Sequence, residues 1–219
     1  MLPKQRPPSS GSLARGFLPS LGETPSPQVH RTNNLKRFIK SLTTIPKPHV
    51  LDMGRLCGQN IDWLLQKGCK VYIDDRFVTL KPPPKPVPTS RKGEWKLPPS
   101  PPIEPLEYPA HLFDGILCWD LLDFLVLKQA QELIGGIKKI IKPKGFLLTY
   151  FNFNKSKPPP PVRYRIIQED QLQYEILLSS QISRRVYENR EIEALFQGFE
   201  IINSTFLKNQ MREVLVQKQ

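Results

Sequence analysis

The chain has 219 residues, of which 39% are hydrophobic, 24 are prolines and three are cysteines, and its formal net charge at pH 7 is +12. This length accommodates one domain with a hydrophobic core, and three scattered cysteines predict neither a disulfide framework nor a metal site. No apolar run approaches the roughly 18–20 residues of a membrane-spanning helix, so we expect a cytoplasmic protein without a metal or membrane partner.

The start of the chain is rich in proline, serine and arginine and has no hydrophobic periodicity. We therefore expect a disordered basic tail at residues 1–33 and a folded domain at residues 34–219. Residues 1–48 carry a net charge of +7. A tail of this kind either keeps the protein soluble or contacts nucleic acid, and its composition is compatible with both roles.

Two helices and two strands are predicted before residue 76. Apolar residues recur at helical spacing in Leu35–Leu42, which predicts an amphipathic helix that either covers a sheet or closes a ligand pocket. His49–Asp52 and Val71–Asp75 are predicted strands, and Asn60–Lys67 is the helix between them. The order strand, helix, strand predicts half of a parallel α/β sheet.

Glycines and an acid lie where such a sheet binds ligands. Gly54 and Gly58 lie in the turn after the first strand, and Asp75 ends the second strand. Gly54 can take the positive φ that a sharp turn sometimes needs, and Gly58 lets a ligand approach the helix N-terminus. A carboxylate at the position of Asp75 can accept hydrogen bonds from both hydroxyls of a ribose.

The middle of the chain is interrupted by prolines. Residues 81–109 contain eleven of them, so an irregular insert is expected there, with Ile103–Leu106 as a residual strand. Phe113–Trp119 is apolar on both faces, as a buried parallel strand should be. Trp119 and Asp120 then lie at its carboxyl end, where packing explains an acid poorly.

A helix over Leu127–Ile141 and a strand over Phe146–Phe151 follow. A hairpin is predicted around Glu169-Asp170, within residues 163–187. A basic and aromatic cluster at Arg184, Arg185 and Tyr187 either binds an anionic substrate or forms a surface turn. The predicted elements that close the chain are a helix over Arg190–Phe196 and strands over Phe199–Leu207 and Met211–Val216.

Four motifs in this order resemble the class I S-adenosylmethionine-dependent methyltransferases. Leu51–Gly58 reads LDMGRLCG and is similar to the glycine-rich first motif of that family, and Asp75 matches its second acid. Phe113–Asp123 (FDGILCWDLLD) is similar to the fourth-strand motif, and Ile141–Leu148 (IKPKGFLL) to the turn before the fifth strand.

The resemblance implies a Rossmann-like α/β fold, with a mostly parallel seven-stranded sheet, an antiparallel last strand and an inserted hairpin. It also implies that the hairpin region at residues 163–187 covers the substrate. It implies S-adenosylmethionine as the cofactor and places the methyl-donor sulfur and the substrate beside Trp119. The residues that it assigns to the cofactor are Asp52, Gly54, Leu56, Gly58, Asn60, Asp75, Cys118, Trp119 and Asp120.

Two positions depart from the family pattern, because Leu56 and Lys144 stand where the family has glycine. We expect the Leu56 side chain to turn down towards the helix and sheet, which would leave the pocket open. The resemblance implies methyl transfer to a small-molecule acceptor, without assigning catalytic residues. The alternatives are an inactive methyltransferase-fold interaction protein and an RNA-associated methyltransferase that uses the tail.

Overall fold

The computed structural model describes residues 28–80, 87–88, 95–96, 100–156, 161–177 and 184–219. The strands are β1 (Gln28–Arg31), β2 (His49–Asp52), β3 (Lys70–Ile73), β4 (Val87–Pro88), β5 (Trp95–Lys96), β6 (Phe113–Trp119), β7 (Ile141–Asn152), β8 (Val162–Gln168), β9 (Gln171–Ile176), β10 (Phe199–Phe206) and β11 (Met211–Lys218). The α-helices are α1 (Asn33–Thr43), α2 (Gly58–Gln66), α3 (Leu127–Ile140) and α4 (Asn189–Leu195).

The main sheet has the order β10-β11-β7-β6-β2-β3. The pairs β2–β3, β2–β6 and β6–β7 are parallel. β11 is antiparallel to both of its neighbours, β7 and β10. The predicted α/β class and the antiparallel last strand are therefore confirmed. The carboxyl ends of β2, β3, β6 and β7 meet at one edge of the sheet, where open α/β sheets bind ligands.

The third strand predicted at Ile103–Leu106 is wrong, and six strands form the main sheet in the described parts of the chain. Proline lacks the backbone N–H that a ladder needs, and Pro101, Pro102, Pro105 and Pro109 surround this segment. Its apolar side chains pack against the core instead.

A buried central strand separates two hydrophobic clusters. All seven residues of β6 are buried, with α3 and α4 covering one face of the sheet and α1 covering the other. The close packing of α1 requires Gly115, since a Cβ there would lie 2.7 Å from Cζ of Phe38. Leu35, Phe38 and Leu42 are fully or almost fully buried, so the helix predicted at Leu35–Leu42 covers the sheet.

A second, antiparallel sheet has the order β1-β9-β8. The β8–β9 hairpin lies around Glu169-Asp170, and β1 pairs with β9 from Gln28↔Tyr174 to Arg31↔Gln171. Residues 28–33, which the sequence analysis assigns to the tail, thus form β1 and the beginning of α1. Residues 1–27 of the predicted tail lie outside the described residues, as do 81–86, 89–94 and 97–99 of the predicted insert.

A buried polar network fastens the start of α1 to the sheet. Thr32 caps the helix by accepting a hydrogen bond from Leu35 N–H, and its hydroxyl donates to the carboxylate of Glu213. Tyr150 also donates to Glu213, at 3.0 Å. Burial raises the pKa of Glu213 to about 7. The network connects the N-terminal segment with β7 and β11.

Candidate functional site

Trp119 fills one end of the crevice at the carboxyl edge. Its indole Nε1 donates a 2.6 Å hydrogen bond to Oδ1 of Asp52, and its side chain is almost fully buried. Gly54 N–H donates to the same oxygen at 2.9 Å. A Cβ built on Gly54 would lie 2.5 Å from Nε1 of Trp119 and closer still to Cδ1, so the indole rests directly on this glycine.

Gly54 is therefore required for a reason other than the one expected from the sequence. The described glycines with positive φ are Gly68 and Gly198, and Gly54 is not among them. Close approach of an indole, instead of a left-handed backbone, explains the glycine at position 54. The left-handed conformation belongs to Trp119 itself, at φ 50, which a bulky side chain adopts at a cost of about 1–3 kcal/mol.

Three aromatic rings stack across this end of the crevice. Tyr164 from β8 lies on Trp119 with ring centroids 5.0 Å apart and planes at 14°. Tyr150 from β7 stacks on both rings, at 6.2 Å from Trp119 and 5.2 Å from Tyr164. Each stacked pair of this kind stabilises the folded state by about 0.5–1.5 kcal/mol, in addition to the contribution of the buried apolar area. The hairpin thus contributes a ring to the floor of the crevice.

Asn60 holds the hairpin over the glycine turn. Its amide Nδ2 donates to the carbonyl oxygen of Tyr164 at 2.9 Å, and its Oδ1 accepts from Ile166 N–H at 2.8 Å. The side chain is almost fully buried. Asn60, which the resemblance assigns to the cofactor, therefore has both ends of its amide engaged by the backbone of β8.

A buried ion cluster closes the same end. The Arg184 guanidinium pairs with Asp120 and lies 3.4 Å from Oδ2 of Asp123. Burial raises the pKa of both carboxyls, against the attraction of Arg184. Burial opposes the charge of Arg184, but the two carboxyls raise its pKa above the usual range. The predicted substrate-binding arginine is thus a buried partner of two aspartates.

Three other predicted site residues face away from the crevice. Cys118 is fully buried, and burial raises the pKa of its thiol to about 12. The hydroxyl of Tyr187 lies 2.8 Å from the carbonyl oxygen of Leu125, so it holds the segment after β6. Arg185 pairs with Glu191 at 2.5 Å, near the start of α4. These positions are structural in the arrangement observed.

The other end of the crevice is open. Asp75 accepts hydrogen bonds from Leu56 N–H at 2.9 Å and from Phe77 N–H at 3.1 Å, one at each carboxylate oxygen. Leu56 is 57% exposed, so the expected downward orientation of its side chain is wrong. Leu56 is also not among the residues with positive φ, so leucine fits this backbone without strain. A Cβ on Gly58 would meet no atom within 4 Å.

A cavity of about 110 Å³ lies beyond Asp75. It is lined by Arg76, Thr79 and Leu80 after β3, by residues 101–104, and by Leu121, Phe124 and Leu125 after β6. Whole ligands of drug size occupy pockets of about 300–1,000 Å³, so this cavity suits one flat ring and not a complete cofactor.

Two important crevice residues were not identified from the sequence. Arg55 lies over the ring of Phe77, 4.4 Å from its centroid, and the charges of Asp120 and Asp75 oppose the lowering of its pKa by burial. The position of Arg55 inside the glycine-rich motif was the sequence feature that could have identified it as a crevice residue. Tyr164 shares the buried face of β8 with Ile166, a pattern of alternate residues that indicates burial but not the partner.

No described helix has the length and apolar character needed to cross a membrane. Within the described ranges, no group of three or more histidine, cysteine, aspartate or glutamate side chains is arranged to hold a metal ion.

No protein-family model and no curated protein matches the chain. Among solved structures, an S-adenosylmethionine-dependent methyltransferase from Mesorhizobium loti is 12% identical, with 82% of this chain and 95% of that chain covered and a TM-score of 0.50. A Burkholderia thailandensis 1,6-didemethyltoxoflavin-N1-methyltransferase, solved with that compound and S-adenosylhomocysteine, is 17% identical (85% and 79% covered, TM-score 0.47). A protein from Rhodobacter sphaeroides assigned to the zinc-dependent alcohol dehydrogenases is 12% identical (86% and 91% covered, TM-score 0.49). The similarity to the Mesorhizobium loti structure, at 12% identity and a TM-score of 0.50, shows a shared fold alone.

Proposed function

We propose that the protein is an S-adenosylmethionine-dependent methyltransferase whose acceptor is a small molecule. The observation that carries the proposal is the convergence of Asp52, the glycine turn and Asp75 at the carboxyl edge of a sheet with this strand order. Fold alone does not determine reaction, so the proposal rests on this edge.

The open end fits the nucleoside part of the cofactor. Each oxygen of Asp75 accepts one backbone N–H, and a carboxylate has about four lone-pair positions, so both oxygens can also accept from ribose hydroxyls. The cavity beyond it, with Leu121 and Phe124 in its wall, suits an adenine ring.

The closed end does not fit the amino-acid part of the cofactor in the described conformation. The indole of Trp119 lies on Gly54 and uses the carboxylate of Asp52, so that space is filled. When bound, the cofactor would supply an activated methyl group, and the protein's contribution would be proximity and orientation. No transfer step follows from the conformation described.

A second candidate is a non-catalytic binding protein with this fold. Asp120 forms a buried ion pair with Arg184, and Asn60 is engaged by the hairpin, so several predicted cofactor residues stabilise the structure itself. The RNA-associated alternative depends on the basic tail, and residues 1–27 lie outside the described part of the chain.

Calorimetry with S-adenosylmethionine and S-adenosylhomocysteine tests the proposal on the purified full chain. We expect saturable binding at one site, weakened about ten- to hundredfold by Asp75→Ala, since a hydrogen bond to a charged group contributes about 1.5–3 kcal/mol. Asp62→Ala, on the exposed face of α2, is the matched control and should leave the affinity unchanged. Absence of binding to the folded protein would support the non-catalytic candidate.

A further inference from the structure

We propose that Trp119 determines which ligand this crevice prefers: while the indole rests on Gly54, an adenine nucleoside without an amino-acid tail binds more tightly than a cofactor with the tail, which must first displace the ring. This inference depends on the proposed function, because it assumes that the nucleoside lies at Asp75. It concerns the ligand that the site selects, beyond the reaction proposed above.

The exclusion is steric in the first place. An atom bonded to the Cα of Gly54 would lie 2.5 Å from Nε1 of Trp119, so no ligand atom fits between the glycine and the ring. A chain of carbon, nitrogen and oxygen atoms passing over the turn needs separations of about 3.5–4.0 Å on each side. The indole must leave before a tail can lie there.

Charge and hydrogen bonding act in the same direction. The ammonium group of an amino-acid tail would pair with an ionised carboxylate, and Asp52 is the buried acid beside the glycine turn. Its Oδ1 already accepts from Trp119 and from Gly54. Burial also raises the pKa of Asp52 to about 6, so the anion that a cation prefers is less stable here than in water.

The indole is held in place by the hairpin. Asn60 fixes the backbone on both sides of Arg165, which sets the Tyr164 ring on the face of Trp119. The left-handed backbone at Trp119 needs such surrounding support, because an L-residue with a large side chain rarely adopts it. Substitutions that loosen the hairpin should therefore change the ligand preference in the same direction as substitutions that remove the indole.

The open end is independent of this arrangement. Asp75 accepts hydrogen bonds from the backbone at Leu56 and Phe77, and among the described residues none of its hydrogen bonds involves Trp119 or the hairpin. A ligand that ends at the ribose therefore meets the carboxylate without meeting the indole. Adenosine and 5′-methylthioadenosine have this form, whereas S-adenosylhomocysteine carries the full tail.

The test compares these three ligands by calorimetry on the full chain and on Trp119→Gly. Glycine adopts φ 50 readily, so this variant removes the indole without straining the backbone. We expect the unmodified protein to bind the two nucleosides at least about tenfold more tightly than S-adenosylhomocysteine. In Trp119→Gly the affinity for S-adenosylhomocysteine should rise at least about tenfold, with nucleoside affinity nearly unchanged.

Three further variants secure the result. Trp119→Leu keeps apolar volume if the glycine variant does not fold, as judged by circular dichroism, and should show a smaller shift in the same direction. Asn60→Ala should favour S-adenosylhomocysteine by releasing Tyr164. Leu65→Ala, on the same helix as Asn60 but 52% exposed, is the matched control and should change neither affinity.

The outcomes separate the two proposals. If the unmodified protein binds S-adenosylhomocysteine as tightly as the nucleosides, or if Trp119→Gly does not shift the preference towards it, the inference is wrong and the proposed function stands. If no folded variant, including Trp119→Gly, binds S-adenosylhomocysteine, the proposed function fails, and the inference fails with it.

Discussion

The closed and open ends of the crevice lie at the same edge of one sheet, but their carboxylates have different hydrogen-bond partners. At the closed end, Asp52 is bonded to Trp119, and Asp120 to Arg184, which lies 64 positions away along the chain. At the open end, Asp75 is bonded to backbone N–H groups alone among the described residues. Side-chain partners from distant segments turn a ligand-binding edge into core, whereas backbone partners leave the carboxylate accessible at its outer face.

The hairpin is the physical origin of this difference. β8 supplies Tyr164 and is held by Asn60 above the closed end, while the open end is bordered by the segment at residues 101–104. Substitutions at the closed end should therefore destabilise the protein as core substitutions do. Substitutions at the open end should have the smaller effects typical of a surface. The following predictions test that contrast in order of expected size.

The largest effect is expected at the buried ion cluster. Arg184→Met leaves Asp120 and Asp123 buried without their cation, which should lower the free energy of unfolding by about 3–5 kcal/mol. Urea denaturation followed by circular dichroism measures this loss. Arg185→Met is the neighbouring control, and its half-exposed pair with Glu191 should contribute about 1 kcal/mol or less. Equal losses in the two variants would contradict a buried closed end.

A pH dependence is expected at Asp52. Its pKa is about 6 in the folded protein and about 4 when unfolded, so the folded state binds more protons between these values. Stability should therefore fall by roughly 3 kcal/mol as the pH rises from 4 to 7.5. Asp52→Asn should remove this part of the slope. Glu213→Gln is the comparison, because burial raises that pKa to about 7 and its slope should persist to higher pH. If the pH dependence of stability is unchanged in Asp52→Asn, a group other than Asp52 is responsible for it.

Two glycines in one turn offer a direct contrast. Gly54→Ala forces a Cβ into the Trp119 indole and should destabilise the protein by about 1–3 kcal/mol. In Gly58→Ala the new Cβ lies in open space at the start of α2, so this substitution should stabilise the protein by about 0.4–1 kcal/mol. Thermal unfolding measures both. In a Trp119→Gly background the further cost of Gly54→Ala should largely disappear, and an equal cost in both backgrounds would mean that the indole is not the obstacle.

The smallest effect concerns the N-terminus. Deleting residues 1–33 removes β1 and the Thr32 cap. Loss of the cap alone should lower the free energy of unfolding by about 0.5–2 kcal/mol. Deleting residues 1–27 should change stability by less than about 0.5 kcal/mol, because that segment is too poor in apolar residues to offset its ordering entropy. Differential scanning calorimetry compares the two. A large loss in the shorter deletion would place part of residues 1–27 on the domain.

Part of the fold and of the site follows from short-range patterns. Hydrophobic periodicity predicted α1, and the apolar run Phe113–Trp119 predicted β6, because spacing along the chain determines which face is buried. The resemblance in strand order placed Asp75 at the edge. Proline content explained why Ile103–Leu106 does not pair, although the sequence analysis had assigned a strand there.

The tertiary structure alone decided what the site residues contact. The sequence placed Trp119 at the end of a strand, but its partners Asp52 and Tyr164 lie 67 and 45 positions away, beyond the reach of local pattern. Leu56 is exposed and Arg184 is buried, the reverse of what their residue types suggest. The reason is that the hairpin covers Arg184 and leaves Leu56 in solvent. Burial depends on which distant segment packs above a residue, and that is a property of the folded chain.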